Sequence, residues 1–92
     1  MTKKEIIKMV SRDTGIIEPH CREIVDSFLR ILKQCIIRHY RIDFRGLGVF
    51  KVKHHKGYKT YNPLMKEDVT VQDRWLPVFQ FSKKLIDKVK VK

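Results

Sequence analysis

The sequence predicts an α+β fold: two N-terminal helices, a three-stranded antiparallel sheet with a long protruding β-arm, and a short C-terminal helix. Three observations carry that expectation. Apolar residues recur at three-and-four spacing as far as Ile36, and from Arg41 the period changes to two. Between residues 54 and 74 only Tyr58, Tyr61, Leu64, Met65, Val69 and Val71 are available for burial, too few for a segment inside a core.

The first helix is expected over about residues 3–13. Thr2-Lys3-Lys4-Glu5 reads as a capping box, in which the Thr2 hydroxyl accepts from the Glu5 amide and the Glu5 carboxylate reaches back to Thr2. Ile6, Met9 and Val10 fall on one stripe, and Thr14-Gly15 supplies a stop in which glycine takes positive φ. Pro19 is tolerated only in a first turn, so the second helix begins near Glu18. Its stripe runs through Cys21, Ile24/Val25, Phe28, Ile31/Leu32 and Cys35/Ile36. That is more apolar surface than the first helix can cover, and a second subunit is a natural source of the rest.

Ile42 and Phe44, then Phe50 and Val52, alternate with Asp43, Arg45, Lys51 and Lys53, the pattern of a half-buried antiparallel pair. Gly46-Leu47-Gly48 between them suits a tight hairpin. Alternation resumes at Val69 and Val71 after a polar, basic stretch, which makes 54–74 an arm with Asn62-Pro63 at or near its tip. Trp75, Leu76, Val78, Phe79 and Phe81 form the last strand, and Ser82 caps a final helix whose apolar face is Leu85, Ile86 and Val89. The 92 residues are read as one domain, with a helical region over 1–45, sheet and arm over 46–81, and the last helix over 82–92.

Charge narrows the function. The chain has 21 Lys+Arg against 10 Asp+Glu, a formal +11. Residues 1–45 hold 10 basic and 6 acidic side chains, and residues 46–92 hold 11 and 4, so the excess leans to the second half. With 42% hydrophobic residues the chain can build a core, unlike a disordered basic tail. No run approaches the 18 apolar residues of a membrane span, and the basic stretch 51–59 lacks the wide apolar face of an interfacial helix. The N-terminus opens an amphipathic pattern and not a signal peptide, and two cysteines fit a reducing interior. A polyanion is the expected partner.

Catalysis finds no support: there is no Gly-rich phosphate loop, nucleophile elbow or carboxylate pair, so no enzyme activity, cofactor or small-molecule substrate is expected. Cys35 and His39 have the four-residue helical spacing of two metal ligands but lack a second pair, so no metal site is expected. Cys21 and Cys35 read as core residues, and Glu67-Asp68 as solvated charge. Adjacent His54 and His55 point to opposite faces of a strand. Trp75 either packs at the base of the arm or offers a stacking platform to single strands.

Gly46-Leu47-Gly48-Val49-Phe50-Lys51-Val52, Asn62-Pro63, and Pro77-Val78-Phe79 followed by Lys83-Lys84-Leu85 occur in order along nearly the whole chain. In these motifs the sequence resembles the HU and integration-host-factor family of bacterial nucleoid proteins. The resemblance implies an intertwined homodimer, or a heterodimer with a paralogue, in the cytoplasm on the nucleoid. It places Phe28, Ile31, Leu32, Phe44, Leu47, Phe50 and Phe79 in the dimer interface. Two arms would embrace double-stranded DNA along the minor groove, with Pro63 wedged between base steps to bend it. Lys51, Lys53, Lys56 and Lys59 would follow phosphates along the arm, and Lys3, Lys83 and Lys84 would do so on the body. Arg45, His54, His55, Lys66 and Arg74 join the same DNA-contacting set, and Asn62 would meet the minor-groove edge. Tyr58 and Tyr61 would either line the groove or stack on each other across the arm. The sequence departs from the family pattern after Asn62-Pro63, where Leu64-Met65-Lys66 stands in place of x-T-G, and at Ser82 in place of glycine. Two other readings remain open at this level: a sequence-specific bender like integration host factor, and an RNA-binding or ribosome-associated basic protein.

Overall fold

The computed structural model describes residues 1–91. In chain order the elements are α1 (Lys3–Thr14), α2 (Glu18–Ile37), β1 (Ile42–Phe44), β2 (Gly48–His55), β3 (Tyr58–Asn62), β4 (Glu67–Val71), β5 (Arg74–Phe81) and α3 (Lys83–Lys90). They fall into two compact units that divide after Cys35, ten residues before the expected end of the helical region at Arg45.

In the first unit, local chemistry sets the helix ends. Thr2 Oγ1 accepts from the Glu5 amide at 3.4 Å, and Gly15, at φ 75, ends α1 by donating its amide to the Ser11 carbonyl at 2.9 Å. At the start of α2 the Ile17 carbonyl accepts from the His20 and Cys21 amides at 3.1 and 3.2 Å. Lys3 Nζ lies 2.8 Å from Asp26 Oδ1, tying α1 to α2. The expected inward stripe of α1 is corrected: Ile7 is the buried residue, at 2% exposure, while Ile6 and Met9 are about half exposed. On α2, Cys21 is buried, but Ile24, Phe28 and Ile31 are exposed. A stripe chosen by periodicity faces whatever covers it, and within one chain the helices cover only a narrow seam.

The second unit holds the sheets. Strands β1, β2 and β5 form one antiparallel sheet in the order β1-β2-β5, with β2 central. Leu47 donates to the Phe44 carbonyl at 2.9 Å to close the β1–β2 turn, and Gly46 takes φ 88 within it. Gly48 belongs to β2 and not to the turn; it is buried, and a Cβ there would lie 2.7 Å from Phe79 Cζ and clash with the Gln80 carbonyl. The β2–β5 ladder runs from Gly48↔Phe81 to His55↔Arg74. Strands β3 and β4 form a separate two-stranded sheet from Tyr58↔Val71 to Asn62↔Glu67. The arm's own ladder is therefore 58–71, shorter than the expected 54–74, because His54, His55 and Arg74 are still paired in the larger sheet. Ser82 starts α3: its Oγ accepts from the Leu85 amide at 3.2 Å and donates to the Gly46 carbonyl at 3.0 Å. The Ser82 hydroxyl thus caps the helix and pins it to the β1–β2 turn.

Alternation along the β1-β2-β5 register gives the sheet two unlike faces. Ile42, Phe44, Phe50, Val52, Pro77, Phe79 and Phe81 share one. Its rings form a chain: Phe44 meets Phe50 edge-on at 5.9 Å between centroids, Phe50 lies 4.4 Å from Phe79, and Phe79 meets Phe81 edge-on at 4.7 Å. Yet among the described residues only Ile7 and Cys21 count as buried hydrophobic side chains.

Candidate nucleic-acid interface

The opposite face of the same sheet carries Lys51, Lys53 and His55 from β2, with Arg74 directly across from His55. Alternate residues of a strand follow at intervals of about 6.6 Å, so these three β2 side chains form a basic row along one face. Lys51 Nζ donates to Gln80 Oε1 at 3.1 Å, which holds its amine over the sheet. Gln80 was not among the expected site residues, although its parity with Val78, the partner of Lys51, puts it on this face.

His54 lies on the aromatic side of the sheet, on the face opposite His55. It shares parity with Phe50 and Val52, and its ring lies 4.7 Å from that of Trp75. Trp75 also meets His39 at 4.9 Å, so its indole is in contact with two imidazoles at the root of the arm. His39 lies beyond the end of α2 at Ile37, with φ 62, so the helical four-residue spacing from Cys35 does not apply. Among the described residues no group of three His, Cys, Asp or Glu could hold a metal ion.

Asp73 was also missed, and it organises the arm root. Its Oδ1 accepts from the Gly57 amide, and its Oδ2 lies 3.6 Å from His54 Nε2. The carboxylate thus bridges the last residues before β3 to the last turn of chain before β5. Gly57 is required beside it, because a Cβ there would run into the Val71 carbonyl and Asp73 itself.

The arm differs from the sheet in charge. Residues 58–71 hold Lys59 and Lys66 against Glu67 and Asp68, a net of zero. Residues 1–35 sum to +2, and the remaining +9 lies in residues 36–57 and 72–92, on either side of the arm in the sequence. The expected concentration of charge on the arms is therefore corrected: the lysines at 51, 53 and 56 precede the arm ladder, and only Lys59 of that cluster lies within it. One arm face carries Tyr58, Thr60, Val69 and Val71; the other carries Lys59, Tyr61, Asp68 and Thr70. Tyr58 and Tyr61 lie on one strand with opposite parity, so they do not face each other across the arm. At the tip, Asn62 Oδ1 accepts from the Leu64 and Met65 amides at 3.0 and 3.3 Å. Pro63 is exposed in that turn, and Lys66 takes φ 52 where a glycine would be unstrained.

The other expected contacts are scattered. Arg45 is exposed in the β1–β2 turn, and Lys83 and Lys84 are exposed in the first turn of α3. Lysines at a helix N-terminus oppose the helix dipole, so that pair contributes little to α3 itself. Lys3 is already engaged by Asp26. Leu47 in the turn is 44% exposed, and Phe44, Phe50 and Phe79 are half-buried on the aromatic face.

A basic row on a three-stranded sheet, extended by a self-paired arm, defines a protein built to hold a polyanionic ligand. The chain matches the family described as bacterial DNA-binding protein over residues 1–90. DNA-binding protein HU of Thermotoga maritima is 30% identical over 90 residues, covering 98% of this chain and 100% of that protein. An Anabaena HU–DNA cocrystal structure superposes with a TM-score of 0.81 at 18% identity, covering 100% of both chains. A point mutant of Thermotoga maritima HU superposes with a TM-score of 0.70 at 24% identity, covering 97% of this chain and 99% of that one. The fold is that of HU, and the chain belongs to the HU family of bacterial DNA-binding proteins. Among the described residues, no helix is long and apolar enough to cross a membrane.

Proposed function

We propose that the protein is a dimeric architectural DNA-binding protein of the nucleoid, which binds duplex with little sequence preference and bends it. The observation that carries this is the division of one sheet into an aromatic face and a basic face, with a neutral arm beyond the basic one. The aromatic face, with Phe44, Leu47, Phe50 and Phe79, packs against a second copy together with Phe28, Ile31 and Leu32 of α2. The two buried hydrophobic side chains among the described residues are too few to stabilise a domain of this size alone, which supports the second copy.

Lys51, Lys53, His55 and Arg74 then sit on phosphates, joined by Arg45, Lys56, Lys83 and Lys84. Such contacts position a protein without reading sequence. The arms lie in the minor groove, where Tyr58, Lys59, Tyr61, Asn62 and Lys66 line the walls and Pro63 wedges between base steps. The DNA in the Anabaena HU cocrystal supports DNA as the ligand.

Titration of affinity against salt tests the reading. Each phosphate neutralised contributes about −0.9 to the slope of log affinity on log salt, so Lys51, Lys53 and Arg74 from two copies account for about −5. A flat response refutes it. Light scattering should give twice the chain mass of 11.1 kDa, and competition between a defined site and random duplex measures sequence preference.

A further inference from the structure

The arm tip displays hydrocarbon that the fold does not use. Leu64 is 94% exposed, the most exposed of the large hydrophobic residues described, and Met65 beside it is 64% exposed. A turn of this kind ordinarily takes Gly, Asn, Asp or Ser. The display is also directed: Asn62 Oδ1 holds the Leu64 and Met65 amides at 3.0 and 3.3 Å, and Pro63 fixes the backbone entering the turn. The lever that carries the tip has no net charge, so ionic attraction to phosphate is not its main contribution.

From these observations we infer that Leu64 enters the base stack of duplex DNA beside Pro63, as a second wedge element. This rests on the reading above, that the arm engages the minor groove. Leucine, methionine and proline are all side chains that can part a base step. Leu64 adds a branched side chain that reaches beyond a pyrrolidine ring, and the flexible Met65 fills the space that opens next to it. The tip therefore divides its work: Asn62 and Pro63 shape the turn, and Pro63 and Leu64 part the bases.

The test uses full-length protein and a duplex carrying 2-aminopurine at a central step, with donor and acceptor dyes on the ends. Wild-type protein should raise 2-aminopurine fluorescence and energy transfer together. Leu64→Ser should reduce both by at least half and weaken binding about tenfold, with the salt slope unchanged; Leu64→Met should restore most of the signal. Because the side chain is solvent-exposed, these variants should keep the wild-type melting temperature. If wild type unstacks the duplex and Leu64→Ser does so equally, Leu64 is not a wedge and only this inference fails. If wild type binds without unstacking or bending, the reading of the arm fails and takes this inference with it. Loss of self-association by Leu64→Ser in the absence of DNA, with unstacking intact, would instead make the tip a contact between copies.

Discussion

Removing the arm separates what charge does from what shape does. The β2–β5 ladder is paired through His55↔Arg74, so deleting residues 58–71 leaves Lys56, Gly57, Gln72 and Asp73 as a four-residue hairpin loop on an intact sheet. The deletion removes two lysines and two acids, and the chain keeps its +11. If binding is driven by the basic sheet face, the slope of log affinity on log salt should change by less than about 1 unit. If instead Lys59 and Lys66 each neutralised a phosphate in both copies, four contacts would vanish and the slope would fall by about 3.6. Fluorescence anisotropy on a duplex of about 30 base pairs, over a tenfold range of salt, resolves the two cases. The expected result is weaker binding at every salt concentration, lines that stay parallel, and end-to-end energy transfer reduced to that of free DNA. The complementary variant, Lys51→Ala with Lys53→Ala, should lose about 3.6 units of slope while retaining whatever bending remains at saturation. A steep loss of slope on arm deletion would refute this division of charge between sheet and arm.

Other measurements test the fold. A dimer whose core forms only on association should melt about 3–6 °C higher for each tenfold rise in concentration, and a concentration-independent melting temperature would leave the exposed apolar faces unexplained. Gly48→Ala should lower the melting temperature by roughly 10 °C, because the added methyl meets the Phe79 ring and the Gln80 carbonyl. Asp73→Ala should speed hydrogen exchange at the Gly57 amide about tenfold, corresponding to about 1.4 kcal/mol, and barely alter global melting; unchanged exchange would show that the carboxylate does not hold the arm root.

Helix boundaries were legible in the sequence wherever their cause is local. Thr2, Gly15, Pro19 and Ser82 act within a turn of themselves, and each ends or starts a helix where it was expected to. Strand pattern was equally legible, and the parity of Phe50, Val52 and His54 already implied that His54 lies with the rings and not with the lysines. The extent of the arm was not. It is set by where Asp73 meets the Gly57 amide, sixteen positions away, and nothing in the composition of 54–74 marks that contact. The inward residue of α1 was misjudged for a related reason: Ile6, Met9, Val10 and Ile7 offer competing stripes, and which one is buried depends on the packing partner.

The neutral arm also changes how the +11 should act. A cation gains from any nearby phosphate, in straight or bent duplex alike, so lysines on the sheet provide affinity that is largely indifferent to DNA shape. A neutral arm with a hydrocarbon tip gains little from straight duplex, because its apolar atoms leave water only when a base step opens. On the proposed reading, the +11 that lies outside the arm brings DNA to the sheet, and the arm then stabilises only the deformed form. Adding lysines to the arm would strengthen binding to every duplex and reduce the advantage of bent DNA over straight. The zero charge of residues 58–71 is therefore what allows the arm to discriminate by shape in a protein whose other contacts cannot.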